Sequence, residues 1–436
     1  MSIGIVGLGY VGLPLAVAFA EAGHDVVGLD VDQRKIAALR AGESYVEDIT
    51  SERLRGVDGR IRPTTRRADL AGTEAVIIAV PTPLTANREP DLGPLLDATR
   101  AVAGVLQQGQ LVVLESTTYP GTTREQMVPL LEESGLKAGR DFHLAFSPER
   151  VDPGRTDFTL RTTPKVVGGL TDACRDRAVE LYGRVCDTLV PVSTPEVAEL
   201  TKLLENIFRS VNIALVNELA MLTDRMGIDI WEVVEAASTK PYGFMRFEPG
   251  PGMGGHCLPV DPFYLSWRAR EFDMTTRFVE LAGEINQQMP YHCVARIERA
   301  LNAQAKSVKG AKIALLGVSY KAGVGDTRES PALKIIALLK ALGADLHYHD
   351  AFVPELREHE LADEPLDDVL EGADLVVIVT AHPDVDHAQI AAQAPALLDL
   401  RGVTRHKAAK NLFRGELVRL DLDRGADSPV GSPNVG

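Results

Sequence analysis

Gly4-Ile5-Val6-Gly7-Leu8-Gly9-Tyr10-Val11-Gly12-Leu13-Pro14 decides the fold of the first half of this chain. A short apolar run, Ile3–Gly7, enters it and a helical pattern, Leu13–Ala22, leaves it, so the glycines fall on a strand-to-helix turn. Gly7 would permit the tight turn, Gly9 would let the backbone approach a diphosphate, and Gly12 would let the helix pack closely on the strand. The phosphates of a dinucleotide would then sit at the helix N-terminus, where unpaired N–H groups point outward. Three glycines alone are a weak signal. Here the next strand, Val26–Asp30, ends on a carboxylate where a ribose diol would need one. Asp30 would accept from the diol of NAD and repel the extra phosphate of NADP. Arg34 and Lys35 follow, and either would favour that phosphate instead.

Outward from this turn the pattern repeats. Ala75–Val80, Leu111–Ser116 and Phe142–Phe146 read as further buried strands, and Pro94–Leu106 as a helix between them. Alternation of this kind predicts a parallel sheet covered on both faces. Lys165–Gly168 adds a strand before a helix at Asp172–Cys186. From Thr194 the pattern is helical for a long way. Thr194 can cap, Pro195 fits the first turn, and Glu196 and Glu199 suit the positive end of the dipole. Leu200, Leu203, Ile207, Val211, Leu215 and Leu222 then recur at helical spacing. A helix this long bridges domains or packs on a partner subunit, which predicts a homodimer. Alternation restarts with Ile313–Gly317 (strand), Ser330–Leu342 (helix), Asp345–His349 and Leu375–Thr380 (strands). The expected class is α/β: two Rossmann-like doubly wound domains, 1–193 and 306–422, joined by a long central helix and helical connector, 194–305. The stretch 423–436, rich in Gly, Pro, Ser and Asp, reads as a disordered tail.

Bulk composition narrows the function classes. A chain of 436 residues, 45% hydrophobic and 25% charged, is long enough for two or three domains. Its net charge of −15 disfavours general binding to nucleic acid or to an anionic membrane. Cys174, Cys186, Cys257 and Cys293 form no CxxC pair and no disulfide framework, so no metal is expected. The apolar N-terminus lacks the basic start of a signal peptide, and no run is long enough to span a bilayer. These features predict a cytoplasmic protein.

Several polar groups stand where an open α/β sheet binds ligands, just past the carboxyl ends of its strands. Thr82 in Val80-Pro81-Thr82-Pro83 and Thr117 in Glu115-Ser116-Thr117-Thr118 are two, although each taken alone is more often an ordinary turn residue. In Ser147-Pro148-Glu149-Arg150-Val151-Asp152-Pro153-Gly154, Glu149 suits a base and Arg150 an anion clamp, with a surface ion pair as the plainer reading. Lys202, Asn206 and Arg209 stack along one helix face at i, i+4 and i+7, which for three polar residues alone would favour a solvated face. Pro249-Gly250-Pro251-Gly252-Met253-Gly254-Gly255-His256-Cys257-Leu258-Pro259-Val260-Asp261 is the most informative stretch. Four glycines strip side chains from a loop that ends on a cysteine with a carboxylate nearby. A lone cysteine is more often a small buried hydrophobe. The loop and Asp261 favour a nucleophile instead. Finally, Gly317 to Pro331 carries Lys321 and Arg328 on a second glycine turn suited to a diphosphate, and it lacks the GK[ST] ending of an ATPase loop.

Together GIVGLGYVGLP, SPER, TKLLEN, GPGMGGHCLPVD and GVSYKAGVGDTRESPA resemble the UDP-glucose/GDP-mannose dehydrogenase family, in the family's order and across nearly the whole chain. SPERVDPG with PKVVGG, and the run after GGHCLPVD, are similar to the branch acting on UDP-N-acetylhexosamines. Val260 stands where relatives oxidising UDP-glucose tend to have lysine, and Glu248 where an aromatic residue is expected. The resemblance ranks UDP-N-acetylglucosamine first as substrate, UDP-N-acetylmannosamine second and UDP-glucose third.

The resemblance also implies a four-electron oxidation at C6 with NAD as cofactor. Cys257 would capture the aldehyde as a thiohemiacetal that is oxidised to a thioester. Asp261, with water held by Thr117, would take the hydroxyl proton. Lys202 and Asn206 would stabilise the oxyanion, and Glu149 would activate the hydrolytic water. Arg150, Val151, Arg209, Phe247, Gly252, Gly254, Tyr320 and Lys321 would contact the UDP-sugar, together with Glu149, Lys202 and Asn206. Gly7, Gly9, Tyr10, Val11, Gly12, Asp30, Lys35, Thr82, Thr117 and Arg328 would contact NAD. Because Arg328 comes from the C-terminal domain, the cofactor site would close across a cleft.

Overall fold

In a computed structural model that describes residues 1–46, 48–85, 87, 89–151, 157–255 and 260–405, the N-terminal alternation becomes an eight-stranded sheet. Its strands are β1 (Ser2–Val6), β2 (Asp25–Leu29), β3 (Ile61–Thr64), β4 (Ala75–Ile78), β5 (Leu111–Leu114), β6 (His143–Phe146), β7 (Lys165–Gly169) and β8 (Leu189–Val192), in the order β3-β2-β1-β4-β5-β6-β7-β8. Helices α1 (Gly12–Glu21), α2 (Gln33–Arg40), α3 (Ser51–Arg55), α4 (Gly93–Ala103), α5 (Val128–Glu132) and α6 (Asp172–Tyr182) alternate with them. The order reverses at β1, between β2 and β4, and the crevice beyond this switch point is where such sheets take ligands.

Successive side chains of the central strands feed two separate cores, as a period of two requires. Ile3, Ile5, Ala75, Ile77, Leu111 and Val113 join α1 and α6 in one. Val6, Val76, Ile78, Val112 and Leu114 join α4 in the other. One pairing departs from the expected parallel arrangement: β6 and β7 run antiparallel, with Ala145 opposite Gly169 and Phe146 opposite Gly168. The chain therefore turns back directly after Phe146, and the loop bearing Glu149 connects these two neighbours.

Beyond the sheet come α7 (Pro195–Met226), α8 (Ile230–Ser238), α9 (Asp261–Ala269) and α10 (Arg277–Asn302). The hydroxyl of Thr194 accepts from Val197 N at 3.4 Å, a weak version of the expected cap. The long helix carries two apolar faces where the sequence suggests one stripe. Leu203 and Ile207 are buried, whereas Leu200, Leu215 and Leu222 are each more than 40% exposed.

A second sheet, β10 (Asp345–His349), β9 (Lys312–Leu316), β13 (Leu375–Ile378) and β14 (Leu397–Asp399), is parallel throughout, and β11 (Glu355–Leu356) pairs with β12 (Leu361–Ala362) in a small ribbon. Helices α11 (Pro331–Ala341), α12 (Leu366–Leu370) and α13 (His387–Gln393) accompany it. By contacts the chain divides into two compact units, one of residues 1–214, 253–287 and 319–331, the other of 215–252, 288–318 and 332–436. The proposed tail, 423–436, lies outside the described residues. None of the described helices is long and apolar enough to cross a membrane.

Candidate active site

The glycine turn shows why each of its positions resists a side chain. Gly7 has φ +91°, and a Cβ there would stand 2.4 Å from the Ala79 carbonyl oxygen of the neighbouring strand end. A Cβ on Gly12 would fall 1.8 Å from the Gly7 oxygen. Gly9 differs: a Cβ would meet nothing within 4 Å. Its lack of a side chain is therefore not demanded by the fold, which fits a backbone left bare for a close ligand. The N-terminus of α1 has neither a capping side chain nor an acidic residue in its first turn, so the positive end of its dipole is open to a diphosphate.

Asp30, buried at the end of β2, holds this turn. One carboxylate oxygen accepts from Leu8 N at 2.9 Å and from Lys35 Nζ at 3.1 Å, and the other accepts from Asp32 N at 2.9 Å. Arg34 is drawn away by Asp32, at 2.8 Å. Both basic residues that might have welcomed a 2′-phosphate are thus paired with carboxylates, and the residues present fit NAD.

The same device recurs in the second unit. Gly317, φ +76°, would place a Cβ 2.1 Å from Thr380 O. Val318 N donates to Asp350 at 2.8 Å. Gly7 and Gly317 even share a backbone bond, to Leu29 O at 2.8 Å and to His349 O at 2.9 Å.

Around the first unit's strand ends, the predicted residues are joined by direct contacts. Thr82 Oγ1 donates to Thr117 O at 2.7 Å. Tyr264 on α9 donates its hydroxyl proton to Thr82 O at 3.0 Å, tying that helix to the end of β4. Asp261 opens α9 and is buried, and the Asn206 amide of α7 donates to it. Arg209 in turn donates to Asn206 Oδ1 at 3.2 Å. Burial pushes the Asp261 carboxyl up to about 6, with Lys202, Asn206 and Arg209 acting against the rise. One face of α7 therefore meets the first turn of α9, and the spacing of Lys202, Asn206 and Arg209 marks a lined surface instead of a solvated one.

Glu149 and Arg150 attach to the same helix. Glu149 Oε1 accepts from Arg150 N at 2.7 Å and Val151 N at 2.6 Å, which folds its carboxylate over its own loop. The Arg150 guanidinium pairs with Glu205 of α7 at 2.6 Å. Gly254 and Gly255 lie on the segment after Gly317. A Cβ on Gly254 would be 2.7 Å from Tyr320 Cβ, and Gly255 N donates to Arg328 O at 3.0 Å. The Arg328 guanidinium stands 4.9 Å from the Tyr10 ring centroid, so Arg328 belongs by its contacts to the first unit. Lys321 and Val151 also fall in that unit, whereas Phe247 and Gly252 fall in the second. Cys257 and its neighbour His256 lie outside the described residues.

Sequence reasoning missed four buried residues beside this site. Glu199 accepts from Gly121 N at 2.6 Å, Thr123 N at 2.9 Å and Thr123 Oγ1 at 2.7 Å, so it braces a loop beyond β5 instead of facing its own helix end. Glu115, Lys165 and Tyr182 form a buried cluster where β5 ends and β7 begins. A charged residue set in an apolar run, as in Leu111–Glu115 and Lys165–Val167, was the signal available.

Known proteins share this domain order and fold. Three domain models of the UDP-glucose/GDP-mannose dehydrogenase family match in order: the NAD binding domain at residues 1–186, the central domain at 196–288 and the UDP binding domain at 314–406. UDP-N-acetyl-D-mannosamine dehydrogenase of Pyrococcus horikoshii is 38% identical over 95% of this chain and 99% of its own. UDP-N-acetyl-D-glucosamine 6-dehydrogenase of Pseudomonas aeruginosa is 35% identical over 88% and 91%. A solved structure of the Pyrococcus horikoshii UDP-D-ManNAc dehydrogenase superposes with a TM-score of 0.85, covering 92% of this chain and 95% of that one. With its glycine turn, the Asp30 carboxylate behind it and all three domains in sequence, this chain belongs to the UDP-glucose/GDP-mannose dehydrogenase family and is an NAD-dependent nucleotide-sugar 6-dehydrogenase.

Proposed function

We propose that the enzyme oxidises the C6 alcohol of a UDP-N-acetylhexosamine to the carboxylate and keeps the intermediate aldehyde bound to Cys257. The observation that carries this reading is the buried Asp261 carboxylate held against Asn206 and Arg209, with Lys202 on the same helix face. A carboxylate raised toward neutrality suits proton abstraction near neutral pH. When bound, NAD⁺ accepts the hydride from C6, and the complete oxidation uses two equivalents per sugar. Asp261, with water positioned by Thr117, takes the C6 hydroxyl proton. Lys202 and Asn206 supply donors to the oxygen as negative charge develops on it. The Cys257 thiolate adds to the aldehyde carbon to form a thiohemiacetal, whose oxidation gives a thioester. Glu149 takes a proton from water as that water attacks the thioester, which releases the carboxylate and restores the thiol.

Arg150, Val151, Arg209, Phe247, Gly252, Gly254, Tyr320 and Lys321 hold the nucleotide sugar in this reading. Tyr10, Val11, Asp30, Lys35, Thr82, Thr117 and Arg328 hold the cofactor. The relatives named for N-acetylated sugars, and Val260 in place of lysine, support the N-acetylhexosamine over glucose. A homodimer through α7 is supported by its exposed apolar residues Val197, Leu200, Leu204, Phe208, Leu215, Leu219, Leu222 and Met226, spaced by three, four or seven. Buried free thiols at Cys174, Cys186 and Cys293 suit a reducing, cytoplasmic setting.

Purified enzyme given UDP-N-acetylglucosamine, UDP-N-acetylmannosamine, UDP-N-acetylgalactosamine and UDP-glucose tests the reading. It expects the highest kcat/KM on an N-acetylated sugar and two NADH per sugar consumed. One NADH per sugar would mean a two-electron alcohol dehydrogenase, and a preference for UDP-glucose would overturn the substrate class.

A further inference from the structure

Behind Glu149 lies a buried charge cluster that none of these roles uses. Lys165 opens β7 and is 3% exposed. Its ammonium lies 3.1 Å from Glu115 Oε1 at the end of β5 and donates to Pro148 O at 3.3 Å. Tyr182 at the end of α6 donates its hydroxyl proton to the same Glu115 oxygen, and its ring centroid is 4.9 Å from Lys165 Nζ. On its fourth side the ammonium stands 3.8 Å from Glu149 Oε2. That separation is within reach of its charge and too long for a hydrogen bond.

A buried ammonium is retained only where its partners outweigh the loss of hydration. Burial opposes the Lys165 charge, but Glu115 and Glu149 overcome it and hold the lysine above its usual pKa. The other groups near Glu149 are accounted for. Arg150 is paired with Glu205 of α7. The Cys186 thiol beyond α6 is pushed up to about 11 by burial, so it stays neutral. Glu115 and Tyr182 stand behind Lys165. The antiparallel turn from β6 to β7 is what brings Lys165 under the loop, and Ser147 Oγ fixes that turn by donating to Val166 O at 2.8 Å.

We propose that Lys165 is a positioning residue for Glu149: anchored by Glu115 and Tyr182, its ammonium holds the Glu149 carboxylate in place as the base for thioester hydrolysis. The inference rests on the role given to Glu149 above. Oε1 is committed to the Arg150 and Val151 N–H groups, and Lys165 supplies the one cation facing Oε2 among the contacts described. Without it, Oε2 loses the cation that faces it, and the carboxylate is no longer held toward the attacking water.

Intact-mass measurement of enzyme quenched during turnover, across a pH series, tests this. Saturating NAD⁺ and UDP-N-acetylhexosamine are used, and the readout is the fraction of protein carrying a covalent sugar adduct. Wild type should carry little adduct at neutral pH. Lys165→Met should accumulate it, and Lys165→Arg should restore most of the clearance. Should Lys165→Met not fold, Glu115→Gln/Lys165→Met replaces the ion pair by neutral groups and carries the same expectation. Glu149→Gln should hold the adduct at every pH. An adduct in Glu149→Gln with none in the folded lysine variants overturns the positioning role alone. No adduct in Glu149→Gln overturns the role of Glu149, and this proposal with it.

Discussion

The Asn206 amide donates to the buried carboxylate of Asp261, joining the middle of α7 to the first turn of α9 across 55 positions of sequence. This bond is one of the contacts that temper how Asp261 titrates. Burial raises the carboxyl to about 6, and the neighbouring amide and cations keep it from climbing further. Below that pH the carboxyl is protonated and cannot take the hydroxyl proton. The rate of NADH formation should therefore fall about tenfold per pH unit on the acidic side. Asp261→Asn should lower kcat by about 100-fold or more while KM for the sugar nucleotide changes little. A wild-type profile that stays flat well below pH 6 would remove Asp261 from this role.

Gly9 and Gly12 should respond differently to alanine. A Cβ at Gly9 meets nothing, so Gly9→Ala should leave the melting temperature unchanged and raise KM for NAD about tenfold or more. A Cβ at Gly12 collides with the Gly7 carbonyl at 1.8 Å. Gly12→Ala should destabilise the fold by about 2 kcal/mol or more. Thermal melts beside NAD titrations separate the two cases.

Glu199 braces the loop at Gly121–Thr123 from inside, so Glu199→Ala should cost about 2–4 kcal/mol in denaturant unfolding, and Glu199→Gln less. Burial pushes its carboxyl up to about 7 from 4.5. The folded state thus binds this proton more tightly than the unfolded chain does. That stabilising contribution is complete below 4.5 and is lost as the pH rises through about 7. Glu199→Gln should flatten the stability profile over that window, and an unchanged slope would place the titration elsewhere.

On α7, Leu204 and Phe208 are 63% and 47% exposed, one turn apart. If this face covers a second copy of the chain, Leu204→Glu/Phe208→Glu should convert a dimer into a monomer in light scattering. A wild-type chain that is already monomeric at micromolar concentration would exclude the helix as a subunit contact.

The fold was legible where local chemistry is repeated. The glycine turn at Gly7 with its strand-end carboxylate Asp30, and the second glycine turn at Gly317, announce two Rossmann-like units because each motif carries its own geometric reason, while the matching place of Asp350 emerges only in the fold. Lys202, Asn206 and Arg209 were legible as a line on a helix, but the partner that gives them meaning, Asp261, is fixed by tertiary packing. The antiparallel β6–β7 step left no local trace, since a strand's direction is set by its connection and not by its apolar run. Glu199 pointed to a helix dipole and instead faces a loop more than 70 residues away in sequence. Leu200, Leu215 and Leu222 share a helical period with the buried Leu203 and yet are exposed, because a helical period cannot tell one covered face from two.

The pairing of Glu115 with Lys165 also bears on how such a sequence can drift. Losing either charge alone strands the other inside the sheet, a change costing about 3–5 kcal/mol, whereas replacing both by neutral residues spares the fold that cost and still removes the cation beside Glu149. Positions 115 and 165 therefore behave as a single inherited character. Each single-step path between an ionic and an apolar version of this cluster passes through a destabilised chain, and the apolar version also lacks the ammonium that faces Glu149.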